Sequence, residues 1–93
     1  MFILNPTKQF DKDVKLMKKR SAKNGLFIKD FLKLLQIDGA SSIPFKYKPH
    51  NLKGNYAGNW EAHIKPDLLM IWFEITAKNE ITLLRIGSHS DLF

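Results

Sequence analysis

The segment WEAHIKPDLLMIWFEI, residues 60–75, carries the clearest fold signal in the chain. Its first five residues alternate between two sides of an extended chain, and a period of two is typical of a β-strand. One side would present Trp60, Ala62 and Ile64, and the other would present Glu61 and His63. Residues 65–67, Lys-Pro-Asp, predict a turn, and the apolar stretch 68–75 predicts a strand that is covered on both faces.

Further strands are predicted on both sides of this segment. Residues 76–80 indicate a turn that leads into a strand over 81–86, and residues 2–4 can form a short strand. Residues 39–59 contain Gly, Ser, Pro and Asn without sustained periodicity. They predict a loop with at most short ordered pieces.

Two helices are predicted between the first strand and this loop. The first covers about residues 6–20, because Asn5-Pro6 is a favourable helix start and apolar residues follow at helical spacing. The second follows residues 22–25 and covers about 26–37, and Gly39 is its expected end. The residues expected to face the core are Phe10, Val14 and Met17 in the first helix, and Phe27, Phe31, Leu34 and Leu35, or Ile28, Leu32 and Leu35, in the second.

The order of these elements is β-α-α-β-β-β, which is a fold of class α+β. We expect a helical hairpin packed on a mostly antiparallel sheet. A chain of 93 residues has room for one modest core, so residues 1–93 are predicted to form a single domain.

Composition and charge narrow the functional classes. The chain has no cysteine, which excludes disulfides and thiolate zinc sites. Its apolar stretches are far shorter than the roughly 20 residues that span a bilayer, so we expect a cytoplasmic protein with no membrane partner. Residues 1–49 hold eleven Lys/Arg against four Asp/Glu, whereas residues 50–93 hold four against five. The first half is therefore predicted to present a basic surface to a polyanion.

Four lysines of the first predicted helix form a stripe opposite its apolar side. These residues are Lys8, Lys12, Lys15 and Lys19. A charged helix face is usually just solvated, and contact with a nucleic acid is the functional alternative.

The residues that can carry chemistry lie in the other half. His50, His63 and His89 all fall within the last 44 residues, together with Asp67 and Arg85. Histidine exchanges protons near neutral pH, and the planar fork of arginine can bind a phosphate at two points. These residues predict a proton-transfer site that acts on an anion. Zinc binding is the alternative, but short ligand spacings such as His-x-x-x-His are absent, so neither a metal nor a cofactor is expected.

Three motifs resemble the YafQ branch of the RelE/ParE-type toxins of bacterial type II toxin-antitoxin systems. They are His50-x-Leu52-x-Gly54, Ala62-His63-Ile64-x-Pro66-Asp67 and Leu84-Arg85-x-Gly87-x-His89-x-x-Leu92-Phe93. The similarity in length and element order covers essentially the whole chain and implies a RelE-like fold. One departure is Leu68, where YafQ-like sequences commonly have Trp.

The resemblance implies a toxin endoribonuclease that cleaves mRNA at the ribosome and is neutralised by a cognate antitoxin. It marks six residues as active-site positions: His50, His63, Asp67, Arg85, His89 and Phe93. The first five are expected to be catalytic and Phe93 to contact substrate, by stacking on a base, unless its ring anchors the tail in the core. The lysine stripe is expected to contact substrate or an acidic antitoxin segment.

Metal-free RNA cleavage suits these residue types. It requires deprotonation of a ribose 2′-oxygen, stabilisation of charge on the phosphoryl oxygens and protonation of the leaving 5′-oxygen. His89 is expected to act as general acid or base, with Asp67 and His50 or His63 as tuning residue or opposite partner, and Arg85 to stabilise charge. Two other functions remain open: a non-enzymatic gyrase-binding toxin of the ParE type, or a basic nucleic-acid-binding module.

Overall fold

The computed structural model describes residues 1–54 and 58–93, and in them one five-stranded sheet carries a helical hairpin. The strands lie in the order β1-β5-β4-β3-β2, with β1 parallel to β5 and every other pair antiparallel. The predicted α+β class and the mostly antiparallel sheet are thus confirmed. The elements are β1 (Ile3–Pro6), α1 (Lys8–Arg20), α2 (Ala22–Asp38), β2 (His50–Asn51), β3 (Trp60–Lys65), β4 (Leu68–Ile75), β5 (Glu80–Gly87) and α3 (His89–Leu92).

The sheet has apolar packing on both faces. The helices cover one face and enclose the main core, in which Leu35, Trp72 and Ile81 are fully buried. The opposite face carries a smaller cluster in which Leu69 and Ile71 pack with Leu92 of α3. Strand β4 contributes to both, as its apolar sequence predicted, because successive strand residues point to opposite faces.

The start of α1 differs from the prediction. Strand β1 continues through Pro6, and the helix begins at Lys8 rather than at residue 6. The side chain of Thr7 caps it by accepting a hydrogen bond from the backbone N–H of Phe10 (3.1 Å), so Asn5 is not the cap. Asn5 instead donates its side-chain amide to Glu80 on the neighbouring strand (2.8 Å).

The start of α2 also lies earlier than predicted, at Ala22 instead of Leu26. Asn24 donates its side-chain amide to the carbonyl of Met17 (2.8 Å), which ties the two helices together at their junction. A Cβ on Gly25 would lie 3.2 Å from the side chain of Lys18. Gly25 lies within α2 rather than in the turn that its sequence context suggested.

The segment 39–59 contains short ordered pieces, as expected. They are 3₁₀ turns at Gly39–Ser42 and Phe45–Tyr47, followed by the two-residue strand β2. Residues 55–57 of the predicted loop lie outside the described residues. Strand β2 and the four-residue helix α3 are additions to the predicted β-α-α-β-β-β order. Within the described ranges, none of the helices is long and apolar enough to cross a membrane.

Gly39 ends α2, as the sequence predicted, and its environment gives a stability test. Its φ is 61°, and a Cβ there would lie 2.7 Å from the carboxylate of Glu74, whereas Gly54 has a φ of 74° and its Cβ would meet none of the other described residues within 4 Å. Gly54→Ala should lower the free energy of unfolding by about 1 kcal/mol, which is the cost of the positive φ alone. Gly39→Ala should lower it by about 2 kcal/mol or more, because Glu74 must also move. Urea unfolding followed by tryptophan fluorescence measures both, and equal losses would contradict this account.

Candidate active site

The three histidines and Phe93 form a row on the sheet face opposite the helical hairpin. The ring centroids of His50 and His63 are 6.3 Å apart, those of His63 and His89 are 5.8 Å apart, and those of His89 and Phe93 are 6.3 Å apart. His50 lies on β2, His63 on β3, and His89 begins α3. Residues that are up to 43 positions apart in sequence thus share one surface, as the hypothesis of a common site requires.

Asp67 contacts His89 twice. Its Oδ1 accepts the backbone N–H of His89 (3.1 Å) and lies 3.4 Å from Nδ1 of the ring. The backbone hydrogen bond, followed by the contact with the ring, lowers the pKa of Asp67. Both side chains are largely exposed, so the pair is accessible from solvent while Asp67 orients the imidazole.

Glu61 joins the other two histidines. Its Oε1 lies 3.3 Å from Nε2 of His50 and 3.6 Å from Nε2 of His63. Nδ1 of His50 lies 2.8 Å from the carbonyl of Lys48, so both nitrogens of that ring face acceptor oxygens. Glu61 is buried, and its Oε2 has no hydrogen-bond partner in the part of the chain that the structure describes. One carboxylate oxygen thus lies within ion-pair distance of two imidazoles.

Arg85 reaches the same face because β5 contains a bulge. The register shifts between Ile71 and Trp72, so that Ile71 pairs with Arg85 while Trp72 pairs with Leu83. With strict alternation Arg85 would share the core face of Leu83. The extra residue of β5 at the bulge shifts this alternation by one position. Arg85 instead pairs with Ile71 and shares the sheet face of the smaller apolar cluster.

Asp13 of α1 holds the guanidinium of Arg85. Nε of Arg85 donates to Oδ2 of Asp13 (2.8 Å), and the backbone N–H of Ile86 donates to the same oxygen (3.1 Å). Gln9 donates to Oδ1 of this carboxylate (3.0 Å). Burial by itself would raise the pKa of Asp13, but the hydrogen bonds from Arg85, Gln9 and Ile86 outweigh it and lower the pKa.

Helix α3 is anchored by an ion pair with the end of α1. Arg20 donates to both carboxylate oxygens of Asp91 (2.6 and 2.9 Å). Asp91 also accepts the backbone N–H of Ser88 (2.8 Å), which completes a capping box at the start of α3. A Cβ on Gly87 would lie 2.9 Å from that of Asp91, so glycine allows the close approach. These contacts fix the helix that carries His89.

The remaining predicted site residues lie in three environments. Phe93 is 64% exposed, so the alternative that it is a core anchor is wrong, and Leu92 fills that role. The lysine stripe is exposed on α1, whereas the histidines lie on β2, β3 and α3. Leu68, at the position of the common Trp, is buried in the main core.

Among residues 1–54 and 58–93, no group of three or more His, Cys, Asp or Glu side chains is arranged to hold a metal ion.

Sequence reasoning missed four residues that organise this site, namely Asp13, Arg20, Glu61 and Asp91. The alternation in β3 does place Glu61 on the side of His63, which was a usable signal. The spacing of Ser88 and Asp91 fits a capping box and was a second one. The contacts of Asp13 and Arg20 join residues more than 70 positions apart, and local sequence patterns do not report such pairs.

A helical hairpin on a five-stranded sheet is the fold of a class of small bacterial toxins, as the solved structures of two such toxins show. The chain belongs to the YafQ family, because the family model described as "Bacterial toxin of type II toxin-antitoxin system, YafQ" matches residues 3–93. The mRNA interferase toxin YafQ of Escherichia coli (strain K12) is 38% identical over 85 residues, which are 91% of this chain and 88% of that protein.

Solved structures agree with this assignment. A metal-bound toxin from Helicobacter pylori is 34% identical, with a TM-score of 0.87 and 100% of both chains covered. The matching chain of the E. coli DinJ-YafQ complex is 32% identical, with a TM-score of 0.81 and coverage of 100% of this chain and 99% of that one. The family and fold indicated by the sequence motifs are therefore confirmed, and the expectation of an endoribonuclease agrees with the activity named for the E. coli relative.

The anchoring of α3 predicts a pH dependence of stability. The hydrogen bonds from Arg20, together with those from Ser88, lower the pKa of Asp91 well below its ordinary value. A depressed carboxylate pKa contributes stability above the unfolded value of about 3.9, and this contribution is lost as the pH falls towards the folded value. Asp91→Asn should therefore be less stable than wild type at pH 7, and the difference should narrow below about pH 4.

Urea unfolding at about pH 3, 5 and 7 measures this difference. Asp30→Asn, on the exposed surface of α2, is the matched control and should differ little from wild type throughout. An Asp91→Asn deficit of the same size at all three pH values would contradict the role given to the ion pair.

Proposed function

We propose that this chain is a toxin endoribonuclease that cleaves mRNA by general acid-base catalysis. The observation that carries the proposal is the histidine row, in which two carboxylates, Asp67 and Glu61, lie beside three imidazoles on one open surface. The activity named for the E. coli relative supports the choice of mRNA as substrate.

The chemistry requires a nucleophile from the substrate. None of the proposed catalytic side chains is an obvious covalent nucleophile, and the chain has no thiol. The ribose 2′-hydroxyl next to the scissile phosphate is then the attacking group. One imidazole accepts its proton, and a second donates a proton to the 5′-oxygen as the P–O bond breaks. The products are a 2′,3′-cyclic phosphate and a 5′-hydroxyl.

His89 is proposed to be one proton carrier of the acid-base pair, and one of the two histidines beside Glu61 is proposed to be the other. His89 is the most exposed of the three histidines, and the contact of its Nδ1 with Asp67 leaves Nε2 directed away from that carboxylate. His50 or His63 is the second proton carrier, and the carboxylate of Glu61 lies beside both rings.

Arg85 is the proposed stabiliser of negative charge on the phosphoryl oxygens. Its placement on the site face and its contact with Asp13 support this role, because a guanidinium held by a carboxylate is oriented before substrate binds. Asp13 would also be left without its guanidinium partner in an Arg85 variant, so activity and stability must be measured together.

The proposed partners are mRNA on the ribosome and a cognate antitoxin, in the cytoplasm. The DinJ-YafQ complex of E. coli supports the antitoxin, since the toxin chain of that complex shares the fold of this protein over its full length. The exposed lysines of α1 offer a surface to either polyanion, an RNA or an acidic protein segment.

The first test is loss of activity in site variants. Induction in bacteria without antitoxin, followed by mapping of mRNA 5′ ends, should reveal cuts within reading frames if the ribosome is required. His89→Ala and Arg85→Ala should reduce cleavage by about 10² to 10⁴, and His50→Ala and His63→Ala each by less if they share a role. Ser90→Ala, on the exposed side of α3, is the control and should cleave normally. A folded His89→Ala protein with wild-type activity would remove His89 from the mechanism.

The second test addresses the nucleophile. Replacing the ribose at the cleavage site by deoxyribose should abolish cleavage, whereas chelation of divalent metals should leave cleavage of a free RNA substrate intact. A metal-activated hydroxide would give the reverse pattern, because it does not need the 2′-oxygen. Retained activity on the deoxy substrate, or loss of activity with chelator, would overturn the proposed chemistry.

A further inference from the structure

A basic and aromatic groove lies beside the histidine row. It has a volume of about 610 Å³, within the range of about 300–1,000 Å³ that is typical of ligand sites. The side chains that matter here come from α2, from the 3₁₀ turn Phe45–Tyr47 and its following residue, and from β3. They are Phe27, Lys46, Tyr47, Lys48, His63 and Lys65.

The charge of the groove favours an anionic chain. Lys46, Lys48 and Lys65 supply three positive charges, and no acidic residue appears among the described residues that line it. Nζ of Lys65 lies 4.4 Å from the ring centroid of Phe27, and Nζ of Lys46 lies 5.1 Å from that of Tyr47. These cations rest on aromatic faces at the groove surface, where phosphate oxygens can reach them.

The 3₁₀ turn is fixed to the protein yet presents an unusually exposed aromatic ring. Tyr47 packs edge-to-face against Phe31 of the main core, with ring centroids 5.6 Å apart. Phe45, two residues earlier, is 90% exposed, the highest value among the large hydrophobic side chains of the described chain. A solvent-facing ring on a turn that Tyr47 anchors to the core is suited to stacking with a nucleic-acid base, because every base has an aromatic face.

The groove is continuous with the histidine row. His63 lines the groove and also belongs to the row. The carbonyl of Lys48 lies 2.8 Å from Nδ1 of His50, so the same turn that presents the lysines also positions a proposed catalytic ring. A substrate strand bound at the histidines therefore has a path into the groove.

We propose that this groove binds the single-stranded RNA that flanks the scissile phosphate. Lys46, Lys48 and Lys65 contact the backbone phosphates, and Phe45 stacks on a base. The inference rests on the proposed ribonuclease function and extends it, since it assigns substrate contacts to residues outside the catalytic motifs and outside the lysine stripe of α1.

The test measures binding of an RNA that cannot be cleaved, a fully 2′-O-methylated single-stranded 12-mer, by fluorescence anisotropy. Lys46→Gln/Lys48→Gln should weaken binding and reduce the slope of log K against log salt by about 1.4, or about 0.7 for each phosphate contact. Lys33→Gln/Lys78→Gln removes the same charge from exposed positions on α2 and on the turn before β5, and should leave the slope unchanged.

Stacking is tested separately with Phe45→Ala, which should weaken binding at least about 5-fold. The loss should disappear with an abasic 12-mer of the same backbone, because no base remains to stack. Ile37→Ala, which truncates another exposed apolar side chain, is the control and should bind both probes as wild type does. With cleavable RNA, the groove variants should raise KM and change kcat little.

The outcomes separate this proposal from the ribonuclease proposal. Wild-type protein that produces no mRNA cuts refutes the ribonuclease. Wild-type protein that cleaves, with groove variants that bind the 12-mer normally, refutes the groove as an RNA site. Groove variants that keep RNA binding but lose affinity for an acidic peptide would show a protein-docking surface instead, and would also overturn the proposal.

Discussion

The need to cover β4 on both faces is the constraint on which the rest of the structure depends. All five residues from Leu68 to Trp72 are buried, so the strand cannot lie at an edge or leave one side in water. Strands β3 and β5 pair with it on either side, and the hairpin α1-α2 covers one face. The opposite face is only partly covered, by α3 through Leu92. The surface that remains open there holds the histidine row.

Charged contacts at the margins of the sheet place the site residues on this surface. Strand β1 ends at Pro6, opposite Leu83, so the edge of β5 beyond that point lacks a neighbouring strand. Asp13 supplies the missing acceptor to the N–H of Ile86 and also binds Arg85. Further along, Arg20 binds Asp91 and fixes α3. Helix α1 therefore supports the core and also positions the proposed catalytic groups through its polar residues.

The proposed active site is shallow, and this fits a substrate that is a long chain. His89 and Asp67 are more than half exposed, and the basic groove extends the surface beyond His63. An open surface of this kind excludes little water, so binding must come from many weak phosphate and stacking contacts along the strand. The same exposure leaves the proposed catalytic residues accessible to a protein that covers them, in line with the proposed neutralisation by an antitoxin.

The sequence determined the types of most elements, the double burial of β4, the end of α2 at Gly39 and the motif residues His50, His63 and His89. Periodicity, turn residues and motif spacing are local properties, so they can be read without a structure. Only the tertiary structure decided that Glu61 would serve two histidines, since this depends on the register of β2 against β3. It also decided that a bulge would move Arg85 to the site face, where Asp13 could reach it. Register shifts and contacts between distant residues follow from packing of the whole chain, and local sequence carries no period that specifies them.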